Sequence, residues 1–221
     1  MKNILLLMAI ALPLLLISCG DDKDEPKDSD KNEFVDLGLP SGTLWATCNV
    51  GANKPEEYGD YFAWGEIEPK EIYSDYNYKW YDFSKYNSTD GKMELDPEDD
   101  AAYVNMGTSW RTPSAEQMSE LVNICTWRWT QKNGVNGYLI TGPNRNTIFL
   151  PAAGICVEDN PLEDAGTYGC YWTRTHLQII NIPGVNDPIQ LEFSSEDRDI
   201  CGRIIYRSFG HTVRAVRVSQ N

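Results

Sequence analysis

Residues 73–83 read Tyr73-Ser74-Asp75-Tyr76-Asn77-Tyr78-Lys79-Trp80-Tyr81-Asp82-Phe83, large rings interleaved with hydrogen-bonding side chains. That pattern suits recognition rather than bond breaking: flat apolar faces stack on a sugar or grip a protein surface, and polar groups fix the orientation. Tyr76, Tyr78, Trp80 and Tyr81 are the ligand-contacting residues it points to. They belong to a wider concentration, since eleven of the 25 aromatic residues lie between Tyr58 and Tyr86. For residues 58–64 core packing is the simpler expectation. For residues 73–86, where polar residues interleave densely, packing and ligand contact both stay open.

The acids Asp96, Glu98, Asp99 and Asp100 have the makings of a calcium site, because that ion takes several carboxylate and carbonyl oxygens. The same acids suit the start of a helix, where they satisfy orphan amides and the positive end of the dipole without any metal. No cofactor is expected. His176 and His211 are the only histidines, too few for a His-rich metal centre, and neither sits in an HExxH pattern. The chain has no CxxC pair, no phosphate-cradling GxxxxGK(S/T) loop and no GxSxG elbow. No catalytic residue is expected on these grounds.

Short elements must position these residues. Strand-like runs at residues 34–37 and 44–50 flank Pro40-Ser41-Gly42, a turn with Pro preset at its second position and Gly at its fourth. Residues 138–141 and 147–150 flank a polar five-residue loop and read as a hairpin. Further strands are expected at residues 168–173, 189–193, 203–206 and 212–218. A helix opens at Ser114, which forms a capping box with Gln117, and Met118, Leu121, Val122 and Cys125 follow at helical spacing. A shorter helix is expected from Asp96, with Pro97 at its first position and Gly107 as its stop. The fold class is α+β, with no heptads or short repeats, and the length after residue 33 suits a single domain.

The N-terminus gives an address. Lys2 precedes an apolar run at residues 4–17, broken by Pro13, and small Ser18 precedes Cys19 and Gly20. This run is short of the roughly 20 residues a membrane-spanning helix needs. Leu16-Ile17-Ser18-Cys19 resembles the lipobox of bacterial lipoproteins, which implies a signal peptide at residues 1–18 and a lipidated Cys19 as the first mature residue. Two or more acyl chains, at about 0.8 kcal/mol per buried methylene, hold a protein stably on a membrane. Residues 20–33 (GDDKDEPKDSDKNE) contain seven acids, three lysines and no large apolar residue, so a disordered tether is expected after Cys19. Its acidic start resembles the export signal of Bacteroidetes lipoproteins displayed on the outer face of the outer membrane; a simple spacer is the other reading. The expected location is the outer membrane, lipid-anchored and facing the exterior. Without residues 1–18 the chain carries 18 basic and 33 acidic side chains, a net charge of −15, which excludes nucleic acid as a partner.

A longer signature runs through the chain. It begins with Val35-Asp36-Leu37-Gly38-Leu39-Pro40-Ser41-Gly42-Thr43-Leu44-Trp45-Ala46-Thr47-Cys48-Asn49-Val50-Gly51-Ala52 and Tyr58-Gly59-Asp60-Tyr61-Phe62-Ala63-Trp64-Gly65-Glu66. It continues through Asp99-Asp100-Ala101-Ala102, Trp110-Arg111-Thr112-Pro113-Ser114-Ala115-Glu116, Ile148-Phe149-Leu150-Pro151-Ala152-Ala153-Gly154, Tyr171-Trp172 and Val213-Arg214-Ala215-Val216-Arg217. The set resembles the Fibrobacter succinogenes major paralogous domain and its Bacteroidetes lipoprotein relatives over nearly all of residues 34–218. That family is similar in outline to C-type lectin-like folds, including the formylglycine-generating enzyme. The resemblance implies one C-type lectin-like domain at residues 34–221, with a short twisted antiparallel sheet, two helices and a long loop-rich half.

Fold does not choose the function. The resemblance leaves a binding module for an extracellular glycan or protein, a subunit or accessory protein of a surface appendage, and an enzyme like the formylglycine generator. That enzyme works with a late cysteine pair, whereas this chain offers only Cys201 there, in surroundings that do not match. The Glu-Pro-Asn and Trp-Asn-Asp triplets of calcium-dependent lectins are absent, and Glu158-Asp159-Asn160-Pro161 is a scrambled echo of them. A non-enzymatic, cell-surface binding module is the expectation. Cys48 lies inside the signature, after the Trp45 strand, and Cys125 at the end of the helix that the signature opens at Ser114, and a disulfide between them is expected, worth about 4 to 5 kcal/mol in the chain-entropy model. Cys156, Cys170 and Cys201 are left unassigned.

Overall fold

The computed structural model describes residues 33–87, 89–178, 186–202 and 207–218. The signal peptide, Cys19, the tether through residue 32 and the expected strand at residues 203–206 lie outside the described residues.

The chain is α+β: two α-helices and several small sheets whose strands all pair antiparallel. β1 (Phe34–Asp36) and β2 (Thr43–Ala46) pair in register Val35 with Trp45, and β2 also pairs with the last strand, β11 (Val216–Val218). The turn between β1 and β2 closes with Gly42 N donating to Leu39 O at 2.9 Å, as Pro40 and Gly42 predict. Residues 47–96 contain only one regular element among those described, the 3-10 turn Asp75–Asn77. After a second 3-10 turn, Pro97–Asp99, come α1 (Ala101–Met106) and α2 (Ala115–Ile124). Then β3 (Thr126–Lys132), β4 (Val135–Thr141) and β5 (Thr147–Pro151) form one sheet, and β6 (Ile155–Val157) pairs with β7 (Asn160–Glu163). β8 (Tyr168–Gln178), β9 (Asn186–Ser194) and β10 (Arg198–Cys201) form another. No helix among the described residues is long and apolar enough to cross a membrane.

The capping box of α2 forms as its sequence predicts: Ser114 Oγ accepts from Gln117 N at 3.2 Å and Gln117 Oε1 from Ser114 N at 2.9 Å. α1 starts later than its sequence suggests. Asp100 is extended (φ −98°, ψ 112°) because its carboxylate takes the Ala102 amide, the Thr112 amide and hydroxyl, and Arg111 Nε, so the acids before it sit in the separate 3-10 turn. Gly107, at φ 104°, stops the helix where expected. The hairpin of β3 and β4 was not anticipated, although its two-residue loop, Asn133-Gly134, carries the positive φ angles (50° and 85°) that this dipeptide favours.

A buried arginine shortens two expected strands. Arg214, fully buried, donates Nη1 to Ala46 O (3.2 Å) and Thr47 O (3.1 Å), Nη2 to Phe149 O (2.9 Å) and Nε to Asn49 Oδ1 (2.8 Å). The carbonyls of Ala46, the last residue of β2, and of Thr47 turn toward the guanidinium, and regular pairing with the last strand is confined to Val216–Val218, with single backbone bonds beyond it from Ala46 N to Ala215 O and Val50 N to Val213 O, both at 2.9 Å.

Three apolar clusters fill the interior. One joins Trp45 of β2, Met118 and Leu121 of α2, Ile140 of β4 and Phe193 of β9. A second collects Phe62, Trp64, Tyr86, Trp110 and Trp172, and a third, smaller one holds Tyr61, Tyr73, Tyr78, Ala153 and Cys156. Of the aromatics expected to be core at residues 58–64, Tyr61, Phe62 and Trp64 are buried, while Tyr58 is only half-buried against the third cluster.

The expected Cys48–Cys125 bridge is not made, and no disulfide forms among the described residues. Cys125 is packed into the first cluster at the end of α2, where burial pushes its thiol up to about 11. Cys48 lies half-buried beyond β2 with its Sγ 3.6 Å from Thr47 Oγ1. A thiol in a core behaves as a small hydrophobe, and that role fits Cys125 without a partner.

Candidate functional site

The third cluster is the floor on which the aromatic segment is built. Tyr73 is buried, donates its hydroxyl to Tyr61 O and accepts from Lys70 N at 3.0 Å. Gly210 makes this packing possible, since a Cβ there would lie 2.8 Å from the Tyr73 ring and 2.9 Å from Cys156 Cβ. Tyr73 and Glu158 exchange backbone hydrogen bonds, Tyr73 N to Glu158 O at 3.1 Å and Glu158 N to Tyr73 O at 2.8 Å. Glu158 holds φ 51°, a region seldom occupied by residues with a long side chain, and strain of this kind persists where surrounding structure enforces it.

From this floor the 3-10 turn Asp75–Asn77 rises. Asn77 fixes it, accepting from Ser74 N at 3.3 Å and donating Nδ2 to Ile72 O at 2.8 Å, while Lys70 Nζ reaches Asn77 O and Oδ1 at 3.2 Å. Tyr76 stands on this turn 97 % exposed. Tyr78 is buried and donates its hydroxyl to Trp64 O at 2.7 Å. Trp80 is half-buried in the seam between the second and third clusters, with its Nε1 on Gly65 O at 3.2 Å and the Lys79 and Lys85 ammoniums 4.5 and 5.4 Å from the ring centre. Tyr81 is exposed. The expected ligand set thus divides: Tyr76 and Tyr81 face outward, whereas Tyr78 is packing and Trp80 is a structural seam residue.

Tyr76 and Tyr81 border a cleft of about 450 Å³, lined also by Tyr73, Ser74, Asp75, Val157, Glu158, Ser208 and Phe209. Ser208 Oγ donates to Asp75 Oδ1 at 2.6 Å and so ties the turn to the chain's last segment. Val157, Ser208 and Phe209 carried no sequence signal, and Glu158 stood out only as part of a scrambled lectin triplet. A second concavity of about 550 Å³ lies between α2 and the β8–β10 sheet, lined by Leu177, Ile189 and Ile200 with Glu116 and Ser119 as its polar side chains. Among the described residues its lining has no aromatic ring, and its polar side chains sit on one wall, on α2.

No family model matches the chain, and neither curated proteins nor solved structures give a match.

The acid set is engaged by lysines. Asp96, Glu98 and Asp99 lie close enough to share an ion, but Lys85 Nζ reaches Asp96 at 2.7 Å, Glu98 at 3.5 Å and Asp99 at 2.5 Å, Lys79 reaches Asp99 at 2.7 Å, and Lys92 reaches Asp96 at 2.7 Å. Burial pushes the Asp99 carboxyl up, but hydrogen bonds from Lys79, Lys85 and Tyr86 outweigh it and hold it below the usual carboxylate range. Asp100 does what a capping acid does, on α1. The network ties the loop at residues 79–86 to the start of α1.

A thiol and an imidazole also meet: Cys170 Sγ lies 3.2 Å from His211 Nδ1, with His211 stacked on Trp172 at 3.8 Å between ring centres. Burial pushes the thiol well up and the imidazole down to about 3, so at neutral pH the pair is an uncharged thiol beside an uncharged ring. A nucleophilic cysteine needs the opposite shift.

Proposed function

We propose that this chain is a non-enzymatic binding module, carried on the cell surface by lipid on Cys19, whose contact site is the cleft beside Tyr76. The observation that carries the reading is a ring 97 % exposed on a turn held by Asn77 and Lys70, beside a concavity lined by Asp75, Glu158, Ser74 and Ser208. Exposed aromatics on a preorganised support contribute contact area at little ordering cost. The resemblance of the stretches between Val35 and Arg217 to the Fibrobacter succinogenes major paralogous domain supports a lectin-like surface lipoprotein, and the buried, uncharged Cys170–His211 pair offers no thiolate nucleophile.

The test is a glycan and host-protein binding screen with the purified full chain, run for wild type and Tyr76→Ala, with calcium and after chelation. Ligands captured by wild type should be weakened about tenfold or more by Tyr76→Ala, the effect expected of an interface anchor. Chelation should leave binding unchanged, because lysines already engage Asp96 and Asp99. Equal capture by Tyr76→Ala would remove the cleft as the contact site.

A further inference from the structure

We infer that the Tyr76 cleft takes an uncharged saccharide and turns acidic ones away. The inference rests on the reading of this cleft as the contact site. Its lining carries two carboxylates, Asp75 and Glu158, and two aliphatic hydroxyls, Ser74 and Ser208, with no Lys, Arg or His among the described residues that line it. An ionised carboxylate only accepts hydrogen bonds, so the arriving group must donate. A pyranose does so through a row of hydroxyls while carrying no charge, and its apolar C–H face fits a flat ring such as Tyr76. Asp75 is held in place by Ser208 (2.6 Å), which preorganises an acceptor beside that platform. Sialylated, uronic or sulfated sugars would bring negative charge against both carboxylates, on a chain whose net charge is −14.

A basic peptide would satisfy the same carboxylates, but the floor of the cleft is poorly suited to it. Peptides that add to a strand need unpaired backbone, and Tyr73 and Glu158 have already paired theirs with each other at 3.1 and 2.8 Å. The cleft, at about 450 Å³, is also of a size with small-ligand pockets rather than with extended protein interfaces.

Titration of the full chain in detergent with neutral hexose and N-acetylhexosamine oligosaccharides, their sialylated or sulfated counterparts and a short oligolysine distinguishes these cases. At least one neutral oligosaccharide should bind about tenfold or more tightly than its acidic counterpart, and Tyr76→Ala should abolish about that much of its affinity. Its affinity should change less than about twofold when salt is raised into the range where exposed charges are screened. The double variant Asp75→Asn with Glu158→Gln, checked for an unchanged melting temperature, should narrow the gap between neutral and acidic sugars. Tyr76-dependent binding that favours the acidic sugars or the oligolysine would overturn the ligand class while keeping the site. Neutral-sugar binding indifferent to Tyr76→Ala would overturn the site itself, and failure of every neutral oligosaccharide to bind wild type would overturn the inference.

Discussion

Tyr76 and Tyr78, two residues apart, have opposite environments: Tyr76 is 97 % exposed, and Tyr78, 8 % exposed, places its hydroxyl 2.7 Å from Trp64 O. Truncation should separate them. Tyr76→Ala removes a surface ring and should change stability by no more than about 0.5 kcal/mol. Tyr78→Ala opens a cavity and should cost about 3 to 5 kcal/mol. Urea unfolding of the two variants checks this, and equal losses would mean that the turn at Asp75–Asn77 does not orient the rings as described.

Trp80 gives the second contrast. Its ring bridges two clusters and lies beside two ammoniums, so it belongs to the structure that supports the cleft. Half-buried, it should cost less on truncation than a fully buried tryptophan: about 2 to 3 kcal/mol for Trp80→Ala. A variant that keeps its melting temperature but loses ligand affinity would return Trp80 to the binding surface.

The difference between these neighbours was not legible in the sequence. The alternation of rings and polar residues marks the segment, but a 3-10 turn has neither the period of a strand nor that of a helix, so no spacing rule says which ring faces out. The capping box of α2 was readable because both partners lie within one turn of chain. The cleft was not, because Ser208 is 133 residues from Asp75 and meets it only after the chain has folded. The role of Arg214 was hidden for the same reason: its four acceptors come from β2, the turn after it and β5, and only the folded chain brings them together around a buried guanidinium.

The Asp99 network should make the domain acid-sensitive. Asp99 is 1 % exposed and accepts from Lys79, Lys85 and Tyr86, and its folded pKa lies below the usual value; Asp96 shifts the same way through Lys85 and Lys92. A depressed folded pKa contributes stability that is present above the unfolded pKa and lost as pH falls through the folded one. The urea midpoint should therefore hold from about pH 7 to about pH 5 and fall below about pH 4. Asp99→Asn should cost about 1 to 3 kcal/mol at pH 7, because Tyr86, Lys79 and Lys85 lose a buried charged acceptor while Lys85 keeps Asp96, and should weaken the acid decline. A wild-type midpoint unchanged down to about pH 3 would show that these pairs contribute nothing net.

The cysteines provide the last test, because their environments differ while none of the described ones is bridged. Cys125, Cys156 and Cys170 are buried, and burial raises all three thiols, so in the folded protein they lack both access and thiolate character. Cys48 is partly exposed. Brief iodoacetamide treatment of the native, unreduced protein, followed by peptide mapping, should label Cys48 and leave those three untouched. Adding urea should bring all of them into reach together, in one transition at the unfolding midpoint. Recovery of a Cys48–Cys125 linked peptide from protein exported by the cell would reinstate the bridge. Cys125 would then have to leave its place beside Leu121, and the end of α2 would have to be packed differently from the arrangement described.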